Sequence, residues 1–150
     1  MQSSGSERAT LDDLYRAVIL QHYQSPSHRR PVDEADVRGF SQNPLCGDEM
    51  TVGAWIRDGR VAEAGFQARG CSISQASADM MIDAVGGHSL EEVSALIGQF
   101  RAMMAGGAEE PSTDLGDLAV LQGVRRFPVR VKCALLPWNT LESALATAKA

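Results

Sequence analysis

Three cysteines and one aspartate in this chain have the residue types that bind thiophilic metal ions. Cys46 and Asp48 flank a glycine within residues 43–48, where an Asn-Pro step predicts a turn. Cys71 and Cys133 lie far along the chain from this turn and from each other. Three thiolates and one carboxylate form a suitable tetrahedral set for Zn²⁺. We therefore expect the fold to bring Cys46, Asp48, Cys71 and Cys133 together around a zinc ion.

The spacing of the three cysteines differs from that of local zinc-binding motifs. The chain has no Cys-x-x-Cys pair, so its ligands must come from elements that are distant in sequence. Spacing alone leaves a second interpretation open, in which three unrelated cysteines are simply buried. The odd count and the lack of a secretion signal indicate a reducing compartment, and the predicted location is the cytoplasm.

Positive charge is expected close to this cluster. Three thiolates and a carboxylate leave a Zn²⁺ site with about two excess negative charges. Arg130 precedes Cys133 by one helical turn and is predicted to offset that charge. Arg69, two residues before Cys71, is a second candidate. Either arginine could instead be an ordinary surface charge.

The charge balance of the chain argues against nucleic acid as a partner. Its 150 residues carry a formal net charge of −5, whereas phosphate contacts require a concentrated basic surface. The basic residues near the carboxyl end have three possible roles: a solvated helix face, compensation of the metal site, or docking of an acidic partner. These basic residues are Arg125, Arg126, Arg130 and Lys132. No apolar run of about 18 residues occurs, so no membrane span is expected.

The first half of the chain predicts one helix and a small antiparallel sheet. Residues 1–10 are small and polar and are expected to form a flexible amino terminus, followed by a single domain over 11–150. Apolar residues recur at helical spacing from 11 to 23. A short strand is predicted over 37–40, and alternating apolar residues on both sides of Asp58-Gly59 indicate a hairpin with a type I′ turn.

The second half predicts helices. The period changes at Cys71, which is placed at the amino terminus of a helix that ends at residues 86–87. Ser89 begins a capping box for a second helix, and a short helix is expected over 115–121. A last helix is expected from Pro128 to about residue 148, with a kink at its internal proline. The predicted fold class is α+β, with several helices packed on one face of a three-stranded antiparallel sheet.

The motifs around these ligands resemble the SufU family of iron–sulfur cluster assembly proteins. The matching stretches are 43–48 with its Cys-Gly-Asp, 70–74 followed by Ala76-Ser77, 130–134 followed by Trp138, and Leu14-Tyr15 through His22-Tyr23 to Pro26. SufU is similar in fold to the IscU-type scaffolds and to the amino-terminal domain of NifU. IscU-type chains have a histidine where this chain has Lys132, and they have a shorter stretch between Cys71 and Cys133. Both differences favour SufU.

The resemblance implies a zinc-bound sulfur acceptor rather than a stand-alone enzyme. Such a protein takes sulfur from the persulfide of a SufS-type cysteine desulfurase and passes it to downstream iron–sulfur assembly proteins. By the same resemblance, Cys46 is the mobile acceptor, Asp48, Cys71 and Cys133 hold the metal, and Arg130 supports the site.

Two other functions remain open from the sequence. The first is an IscU-type scaffold that carries a transient iron–sulfur cluster, because thiolates bind iron as well as zinc. The second is a zinc hydrolase or deaminase. Such an enzyme needs an open coordination position for water, which four protein ligands would close.

Overall fold

The computed structural model describes residues 16–44, 47–106 and 113–149. The described chain begins with helix α1 over residues 16–24 and continues with a three-stranded sheet. The strands are β1 (Val37–Asn43), β2 (Asp48–Arg57) and β3 (Arg60–Arg69), and the helices that follow them are α2 (Ser72–Val85), α3 (Leu90–Ala105), a 3₁₀ segment (Thr113–Arg126) and α4 (Pro128–Lys149). The α+β prediction and the three-stranded antiparallel sheet are confirmed. The predicted amino terminus over 1–10 and the first residues of the first helix lie outside the described residues.

The sheet has the order β1-β2-β3, and both pairs of neighbours are antiparallel. The turn between β2 and β3 has positive φ at Asp58 (53°) and at Gly59 (73°), as the predicted type I′ turn requires. β1 runs to Asn43, which pairs with Asp48 at the start of β2. Residues 44–47, the part of the sequence that includes Cys46, therefore join two paired strands at one end of the sheet.

Helices α2 and α4 pack against the sheet and against each other. α4 contacts β1 so closely that a Cβ atom at Gly39 would lie 2.5 Å from the carbonyl oxygen of Thr140. The apolar stripe of α4 faces the core, where Ala134, Trp138, Leu141 and Leu145 are all buried. α4 continues through Pro137. None of the helices in the described residues is both long and apolar enough to cross a membrane.

The segment predicted as a short helix over 115–121 is helical, but it is a longer 3₁₀ helix that Gly123 does not end. The segment forms turns of 3₁₀ helix over Thr113–Arg126, continues past Gly123, and is interrupted at Gly116, where φ is 53°. Its buried apolar side chains recur every third residue, which is the period of a 3₁₀ helix. They are Leu115, Leu118, Leu121 and Val124.

Candidate metal centre

Asp48 lies at the end of the sheet, and its carboxylate is almost completely buried, with 1% of the residue exposed. Its Oδ1 atom accepts a hydrogen bond of 2.6 Å from the backbone N–H of Cys71. Its Oδ2 atom is also buried and has no hydrogen-bond partner among the described residues. Because an unsatisfied buried carboxylate oxygen is costly, Oδ2 is an atom that a cation would stabilise.

The chain before Cys71 can come this close to Asp48 only through a glycine. Gly70 has a φ of +117°, in the region that L side chains rarely adopt. A Cβ atom at this position would overlap Oδ1 and approach the Cα atom of Asp48 to 2.8 Å. Gly70 therefore holds the amino terminus of α2 against the Asp48 carboxylate.

Cys71 is the N-cap residue of α2, as the sequence predicts. Its backbone is extended, and its Sγ atom accepts a hydrogen bond of 3.3 Å from the backbone N–H of Ile73. Arg130, on the first turn of α4, donates from Nη1 to the same Sγ atom at 2.6 Å. Helix dipole and guanidinium both place positive charge at this sulfur, which favours an anionic ligand there.

Cys133 lies on α4, one turn after Arg130, and is fully buried. Its thiol donates a long hydrogen bond of 3.7 Å to the carbonyl oxygen of Val129. One carboxylate oxygen of Asp48 and the Sγ atoms of Cys71 and Cys133 all lie within 4.8 Å of one another. The fold thus brings together three of the four predicted ligands, while Cys46 lies outside the described residues.

These donors fit a zinc ion. Two thiolates and a carboxylate are ordinary Zn²⁺ ligands, and Oδ2 of Asp48 is available for a metal because Oδ1 is occupied by Cys71. The ligands come from the sheet, from α2 and from α4, so the site exists only in the folded chain. Cys46, two residues before Asp48 in the sequence, is the remaining candidate for the fourth position.

The two predicted supporting arginines have different positions. Arg130 is at the site, and its contact there is with Cys71 on the neighbouring helix. Arg69 ends β3 and is exposed, where it lines a shallow groove with Phe40 and Glu49. Of these two arginines, Arg130 is therefore the one that contacts the site.

Gln75 is a supporting residue that the sequence analysis does not identify. It is buried on α2, and its Nε2 atom donates a hydrogen bond of 3.2 Å to the carbonyl oxygen of Gly70. Arg29 donates in turn to Oε1 of Gln75. This chain of contacts fixes the Gly70 turn. The sequence gives one sign of this role, because Gln75 is a polar residue on the apolar stripe of α2.

An exposed apolar surface adjoins Cys71. A cavity of about 370 Å³ opens beside it and is lined by Ser72, Ile73, Phe127 and Arg130. Phe127 is 51% exposed, and its neighbour Val129 is 53% exposed. Large exposed apolar side chains next to a reactive site are typical of surfaces that contact another protein.

The fold and the site define a small α+β domain that holds a cluster of cysteines and an aspartate between one end of a sheet and two helices. Residues 14–134 match the family described as the NifU-like N-terminal domain, and the chain belongs to that family.

Known relatives resemble the chain over most of its length. It is 41% identical over 141 residues to the zinc-dependent sulfurtransferase SufU of Bacillus subtilis, covering 94% of this chain and 95% of that protein. It is 37% identical over 135 residues to the iron–sulfur cluster assembly scaffold protein IscU of Streptococcus pyogenes, covering 90% and 84%. Among solved structures, FiSufU of Fervidobacterium islandicum AW-1, assigned as a scaffold of the SUF system, superposes with a TM-score of 0.80 at 32% identity, covering 85% and 93%.

Proposed function

We propose that this protein is a zinc-dependent sulfur acceptor that takes persulfide sulfur from a SufS-type cysteine desulfurase and supplies it to iron–sulfur cluster assembly. The observation that carries the proposal is the Asp48–Cys71–Cys133 cluster with its unsatisfied Oδ2 atom. The similarity to the sulfurtransferase of Bacillus subtilis supports the same function.

In this proposal Asp48, Cys71 and Cys133 are permanent ligands and Cys46 is the acceptor. The permanent ligands lie on a strand, at a helix N-cap and within a helix, so they cannot move far without disturbing packed structure. In the sequence, Cys46 falls between the end of β1 and the start of β2 and directly precedes Gly47, whose φ is +69°. Zinc, when bound, keeps thiolates deprotonated at neutral pH.

The transfer step is a thiol–persulfide exchange. The thiolate of Cys46 attacks the terminal sulfur of the partner's persulfide, forming a new S–S bond on Cys46. The S–S bond of the donor breaks at the same time, and the partner's cysteine leaves as a thiolate. The sulfur keeps its proton, so no external oxidant or reductant is consumed.

The surface beside Cys71 is suited to receive the desulfurase. Phe127 and Val129 provide exposed apolar area, and Arg130 adds positive charge at the edge of the site. A partner that brings an apolar patch rimmed with acidic groups would complement this surface. The donor persulfide would then approach from the side on which Cys71 is partly exposed.

A desulfurase turnover assay tests the proposal. Adding the wild-type protein should accelerate turnover of the desulfurase, and mass spectrometry after one turnover should place the added sulfur on Cys46. Cys46→Ala should abolish the acceleration and keep the circular dichroism spectrum of the wild type, because the substitution leaves the β1–β2 pairing and the three other candidate ligands in place. Sulfur found on Cys133 instead would refute the assignment of Cys46 as acceptor.

The similarity to IscU proteins favours one other candidate function, a scaffold that holds a transient iron–sulfur cluster. Two cysteines and an aspartate also suit iron. Anaerobic purification separates the two candidates. A colourless protein with one zinc ion supports the sulfur acceptor, whereas a coloured protein with iron and labile sulfide supports the scaffold.

A further inference from the structure

A second group of side chains of the types that bind metal ions lies where α1 meets α2, away from the cysteine cluster. A ring nitrogen of His22 and one carboxylate oxygen each of Asp79 and Asp83 lie within 4.8 Å of one another. Asp79 is eight residues after Cys71, which is roughly 12 Å along a helix. The two groups are therefore too far apart to share one ion.

Two histidines approach these aspartates from outside α2. Nδ1 of His22, on α1, lies 2.6 Å from Oδ2 of Asp79. Nε2 of His28 lies 2.6 Å from Oδ1 of Asp83, and the backbone N–H of His28 donates to the other oxygen of Asp79 at 2.9 Å. Two imidazoles and two carboxylates thus converge on one patch.

The charges around this patch call for a cation. Asp79 and Asp83 are separated by one helical turn, so their carboxylates repel each other, and Asp79 is 1% exposed. A cavity of about 130 Å³ opens onto the patch and is lined by His22, Asp83 and a third carboxylate, Asp117. No lysine or arginine is among the described residues that line it.

We propose that His22, Asp79 and Asp83 form a second divalent-metal site, with His28 beside it as a hydrogen-bonding partner of both aspartates. Nitrogen and carboxylate donors suit Zn²⁺, Co²⁺ or Ni²⁺. Ligands around zinc lie about 2.0–2.2 Å from the ion, which puts tetrahedral donor atoms roughly 3.3 Å apart. The existing donors need only small side-chain movements to reach that spacing. A bound ion would displace the proton between His22 and Asp79 into solvent and would fasten α1 to α2.

Titration of the metal-free full chain with Co²⁺ tests the site. The first equivalent should give the intense sulfur-to-metal absorption of thiolate ligands. A second equivalent should add only weak visible bands, because nitrogen and oxygen ligands lack that transition. Zinc measured by equilibrium dialysis should reach two ions per chain. In proton NMR, the second equivalent of Co²⁺ should shift the imidazole signals of His22 and His28 and leave those of His88 unchanged.

Two variants separate this site from incidental binding. Asp83→Asn removes a ligand at a side chain that is 55% exposed, so folding is not at risk, and it should weaken the second site at least tenfold while keeping the first. The control is His88→Gln, since His88 contacts Glu92 on α3 and should not affect either ion. If wild-type protein binds a single ion, or if Asp83→Asn binds the second as tightly as the wild type, the histidines and aspartates are only hydrogen-bonded clamps and the proposal is wrong.

Discussion

At the scale of single residues, Arg130 is related to two cysteines in different ways. Arg130 lies one turn before Cys133 on α4, yet its guanidinium donates to Cys71 on α2. The side chain is exposed, so it fills no core position. Its contribution must therefore be electrostatic, stabilising negative charge on the sulfur and holding α4 against the N-cap of α2.

Replacing this arginine should weaken the metal site more than the fold. We expect Arg130→Ala to lower zinc affinity about fivefold, equivalent to about 1 kcal/mol, because solvent screening at this exposed side chain weakens its hydrogen bond to the charged sulfur. The free energy of unfolding of the metal-free protein should change by only about 0.5 kcal/mol, as for other surface substitutions. Arg130→Lys should restore part of the affinity, because an ammonium keeps the charge but not the planar fork.

The matched control for this change is Arg126→Ala. Arg126 belongs to the same basic cluster but donates to the carbonyl oxygen of Gly123 and lies over the ring of Phe127. It should leave zinc affinity unchanged. Equal losses from both variants would mean that only the overall positive charge matters, and normal affinity in Arg130→Ala would remove Arg130 from the site.

Residue types and spacing were enough to pick out the three clustered side chains and Arg130, but not Gln75 or Asp79. Asp48, Cys71 and Cys133 stand out because thiols and a carboxylate near turns and helix starts have few structural uses. Gln75 and Asp79 carry no comparable pattern. Their roles depend on Gly70 and His22, which reach them only through the tertiary fold.

At the scale of elements, α3 begins with a complete capping box. The Ser89 hydroxyl accepts from the backbone N–H of Glu92 at 3.1 Å, and the Glu92 carboxylate accepts from the backbone N–H of Ser89 at 2.8 Å. This second hydrogen bond, with a smaller contribution from His88, lowers the pKa of Glu92 below its ordinary value. The predicted start of this helix is confirmed in detail.

The lowered pKa makes the contribution of Glu92 dependent on pH. A carboxylate with a depressed folded pKa stabilises the fold above its unfolded pKa, and the stabilisation is lost as pH falls through the folded value. Glu92→Gln should therefore lower Tm at neutral pH and approach the wild type in acid. The control is Glu91→Gln, which removes the same charge from the same turn without a capping contact. A decrease in Tm of equal size at neutral and acid pH would contradict this account.

The sequence predicts the hairpin and the capping box better than it predicts the 3₁₀ segment. The hairpin and the capping box follow from local rules, because Asp-Gly and Ser-Leu-Glu-Glu each determine a backbone geometry within four residues. The 3₁₀ segment does not follow in this way. Leucines at 115, 118 and 121 are compatible with either helix type, and only packing against α3 and α4 decides between them.

At the scale of the whole molecule, the site depends on how α2 and α4 are held together. Ser77 is fully buried where the two helices meet. Its hydroxyl donates to the carbonyl oxygen of Ala134 at 2.7 Å and accepts from Nε1 of Trp138 at 3.1 Å. Ala134 follows Cys133 directly, and Trp138 stacks on Phe100 of α3 with ring centroids 4.3 Å apart. Ser77 thus connects the backbone beside Cys133 to the helix that begins after Cys71.

Removing this hydroxyl should reduce both stability and metal binding. Ser77→Ala leaves the Trp138 N–H and the Ala134 carbonyl without Ser77 as a partner in a dry core, which should cost about 1–3 kcal/mol in the urea unfolding of metal-free protein. Loss of the connection between α2 and α4 should also let Cys71 and Cys133 separate, so zinc affinity should fall. The control is Ser143→Ala, at an exposed position of α4, which should change neither quantity. The contradicting result would be a Ser77→Ala protein that loses stability and still binds zinc as tightly as the wild type. In that case the end of the sheet and the starts of the helices position Asp48, Cys71 and Cys133 without help from the core, and the proposed coupling between core and site is wrong.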